Sequence, residues 1–296
     1  MLTEPKAPIF HTVYNYEDGD IQLLSSDNVH FRIHSIVLKL ASGVFRQMLE
    51  VLGTQKSEVI PLNESSHVFS ELLDFVYPKV VEDDSGYHLP SLTNHKTLWD
   101  ITCAADKYDM PHVLATIRSI VLNTESLKSE PLELYAVASR GKWAEIARLA
   151  STETLNTRIG GANNIDTLRR IEKGDLCELL QLHASRKEKI LSWFDWANRD
   201  ESFFIVYEWD CSCSEEDDGT QGQPFQGIWE AMRLQVFESL ERLPSGSELR
   251  NDSFWTSQEQ LWSYKCRSCN RILIPRDYFI QRINEVFQDA DLPNSI

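Results

Sequence analysis

Four of the six cysteines lie in the last third of the chain and come in two close pairs. Cys211 and Cys213 form a C-x-C pair, and Cys266 and Cys269 form a C-x-x-C pair. Two pairs on turn-like segments can converge as four thiolates around a tetrahedral zinc ion, and such a closed site is structural. The alternatives are unmetallated thiols and a redox pair, although a thioredoxin-like C-x-x-C opens a helix and RILIP follows this one.

The other residue that could do chemistry is the histidine at the head of the apolar run FRIHSIVLKLASGVFRQML, residues 31–49. A solitary histidine at a helix start is more often a capping or packed core residue than a ligand or a general base. We therefore predict an architectural role for His34. The chain has no nucleotide-binding glycine motif, zinc-protease motif or nucleophile elbow, so we expect no catalytic activity.

The composition indicates a globular protein of two ordinary domains or one large one. The chain has 296 residues, of which 42% are hydrophobic and 25% are charged. Charged residues interrupt every apolar run before it reaches the length of a membrane span, and the first ten residues lack a secretory pattern. We expect a protein of the cytoplasm, the nucleus or both, whose cysteines stay reduced or bind metal.

The charge balance argues against nucleic acid as a partner. The 45 acidic and 29 basic residues give a formal net charge of −16 at pH 7, which repels a phosphate backbone. The cluster that could still form a basic face consists of Lys265, Arg267, Arg271 and Arg276.

Apolar periodicity predicts an α+β unit in the first part of the chain. Alternating apolar residues around the turn residues SSDN predict a β-hairpin over residues 20–33, followed by two short helices. Ser42 stands where an N-cap belongs before the second helix. A short strand at 59–62 and a helix that stops at Pro78 come next, and then a long loop up to Thr97.

The rest of the chain is predicted to be mainly helical. Apolar spacing of three and four predicts helices over residues 97–108, 112–122, 131–140, 142–150, 165–171, 175–199, 228–243 and 276–287. The aromatic segment FFIVYEW, residues 203–209, predicts a strand just ahead of the first cysteine pair.

Several of these segments together resemble the BTB/POZ domain in order and spacing, over about residues 12–125. The matching positions are Asp20 before the hairpin, His34 at the first helix, Ser42 and Phe45 at the second, Tyr77 at the end of the third, and Asp106 and Tyr108 in the tract AADKY. In BTB/POZ domains short strands are surrounded by helices. The resemblance implies that His34, Ser42, Tyr77, Asp106 and Tyr108 are structural positions.

The resemblance also implies a protein-interaction surface in place of a catalytic pocket. BTB-like domains form homodimers through the first helix and the N-terminal segment, and many bind a protein partner, such as the cullin scaffold of ubiquitin ligases. The implied dimer and partner positions are Asp20, Ser35, Leu38, Phe45, Met48 and Glu50. Residues 48–50 resemble a hydrophobic-x-Glu element that assists cullin docking in some members. The alternative interpretation is a core methionine beside a solvated charge.

The chain departs from the BTB/POZ pattern at two places. Ser35 stands where the family commonly has a basic residue that can meet Asp20 across the dimer, so that ion pair has no cation here. The loop from Pro78 to Thr97 is longer than the usual connection. It lies between helices that bind partners in the family, and there it could block, replace or modify that surface.

The sequence therefore predicts an α+β fold with a BTB/POZ-like domain, a helical middle and a small mixed C-terminal domain that resemble those of fungal BTB proteins. The predicted divisions are a tail (1–11), the BTB/POZ-like domain (12–125), a helical region (126–200) and a Cys- and Trp-containing domain (201–296). The predicted function is self-association and partner recruitment, in the form of a substrate adaptor for a cullin-based ubiquitin ligase. The alternative is a nuclear co-regulator or scaffold that recruits transcription partners.

Overall fold

The computed structural model describes residues 7–52, 59–77, 92, 94–195, 222–266, 269–288 and 292–296. The chain forms two compact units, Met1–Ala147 and Arg148–Ile296, and the division between them falls within one helix. No helix in the described ranges is both long and apolar enough to cross a membrane.

A four-stranded mixed sheet forms one part of the first unit. Its strands are β1 (Ile9–Asn15), β2 (Ile21–Leu24), β3 (Val29–Ile33) and β4 (Ile60–Pro61), in the order β1-β3-β2-β4. Strands β2 and β3 form the predicted antiparallel hairpin, with Leu23 opposite Phe31. Asn28 turns the chain between them with a φ of 64°, in the left-handed region that asparagine tolerates. Strand β1 pairs parallel with β3, and β4 pairs parallel with β2.

The helices of the first unit follow the predicted apolar spacing. They are α1 (Ser35–Ala41), α2 (Gly43–Leu52), α3 (Ser66–Asp74), α4 (His95–Lys107), α5 (Pro111–Asn123), α6 (Pro131–Arg140) and α7 (Ala144–Thr154), the last of which continues into the second unit. Helix α4 begins before the predicted start at residue 97 because Asn94 caps it. The Asn94 side-chain oxygen accepts the backbone N–H of Lys96 at 2.8 Å.

Aromatic rings from the sheet and the helices form the core of the first unit. Phe31 of β3 lies edge-on to Phe69 of α3 at 5.1 Å between ring centroids, and Phe45 of α2 stacks on Tyr108 at 4.6 Å. The three phenylalanines are fully buried, and each such ring stabilises the fold by about 1.5–3 kcal/mol. Tyr14 anchors β1 to this core, since it is buried and its hydroxyl donates a hydrogen bond to the carboxylate at the end of α3.

The first unit extends past the predicted BTB-like boundary at residue 125. Leu127 is buried, and its carbonyl oxygen lies 2.9 Å from Nε2 of His95. The Arg140 guanidinium at the end of α6 lies 2.6 Å from the Asp106 carboxylate of α4. Helix α6 is thereby held against α4. At the other end β1 begins at residue 9, inside the predicted tail.

The second unit is mainly helical in the residues that the structure describes. Its further helices are α8 (Ile165–Arg170), α9 (Lys173–Trp193), α10 (Gly222–Arg242), α11 (Asp252–Thr256), α12 (Glu259–Ser263) and α13 (Arg276–Val286). Trp229, Trp255 and Phe279 are buried at its centre, and the indole N–H of Trp255 donates to the carbonyl oxygen of Leu249 at 2.7 Å. The predicted strand at 203–209 lies outside the described residues.

Candidate interaction surface

His34 lies at the junction of β3 and α1, where its contacts hold the framework together. Its backbone N–H donates to the Tyr77 hydroxyl at 2.8 Å, and its Nδ1 lies 3.2 Å from the same oxygen. Its Nε2 lies 3.2 Å from a carboxylate oxygen of Asp18. His34 occupies the N-cap position of α1, but its side chain makes no capping hydrogen bond. The histidine thus ties the start of α1 to the segment that follows α3.

The carboxylate of Asp20 caps α1 instead. One of its oxygens accepts the backbone N–H of Ser35 at 2.6 Å, and the other accepts the Ser35 hydroxyl at 2.6 Å. A negative charge at this end of the helix is also favoured by the helix dipole. Ser35, which replaces the basic residue of the BTB/POZ pattern, therefore engages Asp20 within the same chain.

The same arrangement recurs at the start of α3, where Asp27 binds Ser66. One carboxylate oxygen accepts the Ser66 backbone N–H at 2.7 Å, and the other accepts its hydroxyl at 2.6 Å. Partial burial raises the pKa of Asp27, but hydrogen bonds from Ser25 and Ser66 outweigh it and lower the pKa to about 2. Sequence reasoning missed this pair because its members lie far apart along the chain.

Ser42 caps α2, as the sequence predicts, and also joins α2 to α4. Its hydroxyl oxygen accepts the backbone N–H of Phe45 at 3.0 Å, and its O–H donates to the carbonyl oxygen of Tyr108. The Tyr108 hydroxyl donates in turn to the carboxylate of Glu64, which also lies 2.8 Å from Nζ of Lys107. These hydrogen bonds fix the position of α2 in the first unit.

Two of the predicted partner positions lie in the core of the first unit. The side chains of Leu38 and Phe45 are fully buried. The side of α1 that faces solvent instead carries Ile36 and Leu40, whose side chains are 60% and 74% exposed. These two residues lie one helical turn apart on the same face. Neighbouring exposed apolar residues of this size are typical of an interaction site.

A second apolar feature is a groove between α2 and β4. It has a volume of about 590 Å³ and is lined by Val44, Gln47, Met48, Val51, Val59, Ile60 and Pro61. Met48 is half-buried in this groove, whereas Glu50 is exposed. Because the groove is open, a bound protein could reach the side chain of Met48.

The sequence that forms this sheet and these helices matches a known domain family. Residues 14–125 match the family model of the BTB/POZ domain. This part of the chain is a BTB/POZ domain. A search of curated proteins found no match to the chain.

This match confirms the predicted resemblance to the BTB/POZ domain. It also confirms the predicted α+β fold of short strands and helices. BTB domains are non-catalytic and mediate protein–protein interactions, including dimerisation. The solvent-facing side of α1 and the groove beside α2 are therefore candidate interaction surfaces of a protein-interaction module.

Beyond the BTB domain, the predicted metal ligands are only partly placed. Cys266 is buried and Cys269 is exposed on the segment between α12 and α13, while Cys211 and Cys213 lie outside the described residues. Within the part of the chain that the structure describes, no three His, Cys, Asp or Glu side chains gather as a metal site would require. The zinc site stays a prediction.

The predicted basic face near the second cysteine pair is partly neutralised. The Arg276 guanidinium lies 2.6 Å from the Asp252 carboxylate. Lys265 and Arg271 are exposed, and Arg267 lies outside the described residues. Pairing of Arg276 weakens the attraction that this face could exert on a phosphate backbone.

Proposed function

We propose that the chain self-associates through its BTB domain and recruits a second protein at the groove beside α2. The observation that carries this proposal is the solvent-facing pair Ile36 and Leu40 on α1. A symmetric homodimer uses the same patch on both subunits, so four such side chains leave water together. At about 1.5–3 kcal/mol for each, their burial offers roughly 6–12 kcal/mol before the cost of association.

Strand β1 adds support for the same surface. Ile9 and Val13 of β1 are also exposed, and the N-terminal segment and the first helix are the elements through which BTB-like domains dimerise. The proposed dimer does not depend on an ion pair across the interface, since Ser35 engages Asp20 within the chain.

The oligomeric state of the full chain tests this proposal. Sedimentation velocity should give twice the monomer mass of 34.1 kDa for the native chain. The double variant Ile36→Lys, Leu40→Lys should be monomeric, because it places four cations at the interface. The matched control is Leu234→Lys, an equally exposed leucine of the second unit, which should stay dimeric. A monomeric native chain, or a double variant that still dimerises, would contradict the proposal.

The partner proposed for the groove is the cullin scaffold of a ubiquitin ligase, which would make the chain a substrate adaptor. Two observations support this choice. Residues 48–50 resemble the hydrophobic-x-Glu element of cullin-binding members, and Met48 lines an open apolar groove next to the exposed Glu50. Burial of Met48 against a partner would contribute about 1.5–3 kcal/mol.

Calorimetric titration of the full chain with the N-terminal fragment of the host's cullin tests the adaptor function. Met48→Ala should weaken binding at least about tenfold, because 1.4 kcal/mol corresponds to one decade in Kd. Glu50→Lys should weaken it as well, whereas Glu178→Lys, which changes an exposed glutamate of α9, should not. Absence of binding by the native chain, or equal binding by Met48→Ala, would refute the adaptor function.

A nuclear co-regulator that uses the same dimer for other partners is the alternative function. A native chain that dimerises but does not bind the cullin fragment would favour the co-regulator function. Binding to DNA that weakens steeply with salt would then show whether the exposed Lys265 and Arg271 contribute. Both functions belong in the cytoplasm, the nucleus or both.

A further inference from the structure

A cavity in the second unit is formed by three segments of the chain. It has a volume of about 400 Å³, and its walls come from residues 157–160 after α7, from one side of α9 and from the end of α10. Ile159, Leu180 and Leu240 form apolar parts of the wall. Small-molecule sites have volumes of this order and combine apolar walls with a few polar groups. Every lining residue belongs to the second unit, so the cavity is independent of α1 and of the groove beside α2.

His183 brings a buried acceptor to the wall of this cavity, since the residue is only 8% exposed. Its Nε2 lies 3.0 Å from the Thr154 hydroxyl oxygen, and that hydroxyl donates its one proton to the carbonyl oxygen of Ser151. The imidazole proton is therefore on Nε2. Nδ1 makes no hydrogen bond with a described residue. Burial lowers the pKa of His183 to about 4, so at neutral pH Nδ1 carries a lone pair that can accept a hydrogen bond.

The lining residues also leave one positive charge unbalanced. Nζ of Lys187 pairs with the carboxylate of Glu241. Arg158 is exposed at the cavity wall, and its guanidinium has no ion-pair partner among the described residues. A guanidinium is always charged, and its fork of N–H donors matches the two oxygens of a carboxylate. The cavity therefore offers a cation for an acidic ligand, although the chain as a whole carries a net charge of −16.

We propose that this cavity binds a small organic acid that has an apolar body and a hydrogen-bond donor, as a hydroxy acid has. The carboxylate pairs with Arg158, the hydroxyl donates to Nδ1 of His183, and the carbon chain lies against Leu180 and Ile159. A purely apolar molecule would leave both polar groups without a partner, and a buried acceptor without a donor is costly. The proposed ligand satisfies the acceptor, the cation and the apolar wall together.

Two glycines allow the cavity to be filled selectively. Gly160 lines the cavity, and a Cβ at this position would meet no atom within 4 Å. Gly160→Phe should therefore fold and occupy part of the space that the ligand needs. The matched control is Gly174→Phe in the first turn of α9. A Cβ at Gly174 also meets no atom within 4 Å, but this glycine does not line the cavity.

Titration of the full chain with leucic acid, followed by saturation-transfer NMR, measures the binding. The native chain and Gly174→Phe should bind with equal Kd, whereas Gly160→Phe should bind at least about tenfold more weakly. Arg158→Ala should also weaken binding about tenfold, because it removes a charged hydrogen bond. This variant changes an exposed side chain, so it provides a second test should Gly160→Phe lose its helical circular dichroism.

Isocaproic acid tests the role of His183, because it is leucic acid without the hydroxyl group. It should bind the native chain about threefold to tenfold more weakly than leucic acid, which corresponds to the loss of one hydrogen bond. Equal binding of the two acids would refute the contact with Nδ1. A native chain that does not bind leucic acid, or equal binding by the native chain, Gly160→Phe and Arg158→Ala, would overturn the proposal.

Discussion

Mild acid should destabilise the second unit through one buried histidine, His183 of α9. Its Nε2 lies 3.0 Å from the hydroxyl oxygen of Thr154, and that hydroxyl donates its proton to the carbonyl oxygen of Ser151 at 2.6 Å. Since the hydroxyl has one proton, Nε2 must be the donor to Thr154. Burial lowers the pKa of His183 from 6.5 to about 4.

The two pKa values give the size of the effect. Because the folded pKa lies below the unfolded one, the unfolded state binds more protons between them, and stability falls as pH drops from 6.5 towards 4. At about pH 5 the histidine is almost fully protonated in the unfolded chain and almost fully neutral in the folded one. The free energy of unfolding should then be lower by about 2 kcal/mol than at neutral pH.

Urea unfolding at about pH 7.5 and about pH 5, followed by tryptophan fluorescence, measures this loss. His183→Gln is the control, because glutamine can still donate to Thr154 but does not titrate. The variant should lose about 2 kcal/mol less than the native chain on acidification. It also separates His183 from His11 of the first unit, whose pKa burial lowers as well.

Equal losses in the native chain and in His183→Gln would refute the assignment to His183. Carboxylates with lowered pKa values do not interfere in this window. Hydrogen bonding lowers the pKa of Asp27 to about 2 despite partial burial, so its contribution is lost only in stronger acid.

Two further substitutions each test a contact within one unit. The Arg186 guanidinium is buried and donates hydrogen bonds to oxygens at residues 244–245 and 293–294. Arg186→Met leaves these acceptors without a donor. In a urea titration it should therefore lower the free energy of unfolding by roughly 3–5 kcal/mol. Arg186→Lys should recover little of this loss, because a single ammonium cannot reach the same acceptors. In the BTB domain, a Cβ at Gly43 would lie 2.0 Å from a carboxylate oxygen of Asp109. Gly43→Ala should therefore cost about 1 kcal/mol in thermal unfolding as Asp109 changes rotamer. Adding Asp109→Gly to Gly43→Ala should restore the stability, because it removes the carboxylate and the φ of 51° at this position suits glycine. A double variant that is no more stable than Gly43→Ala would contradict the steric explanation.

Local signals in the sequence were sufficient to predict several elements of the first unit. Ser42 marks the start of α2 because its hydroxyl has a donor three residues away. Asn28 allows the hairpin to turn, and Pro131 begins α6 where its missing N–H costs nothing. Each of these signals acts within a few residues, so no knowledge of the fold was needed to interpret it.

The contacts that fix the arrangement of these elements were not predictable in the same way. Asp20 meets Ser35 across 15 positions of sequence, and Asp27 meets Ser66 across 39. Aspartate and serine both occur at many positions of this chain. The sequence alone therefore does not indicate which aspartate meets which serine in the fold. The capping of α1 by Asp20 was not predictable for the same reason.

The sequence of helix α1 does not distinguish its buried side from its solvent-facing side. Five of its seven residues are apolar, from Ile36 to Ala41, so its sequence cannot tell the core side from the solvent side. A helix that is apolar on most sides is normally buried on most sides. Leu38 is the one residue of α1 that is fully buried, and the side with Ile36 and Leu40 faces water. The composition of α1 is thus explained if a second copy of the chain covers that side, which is the surface that the charged double variant would disrupt.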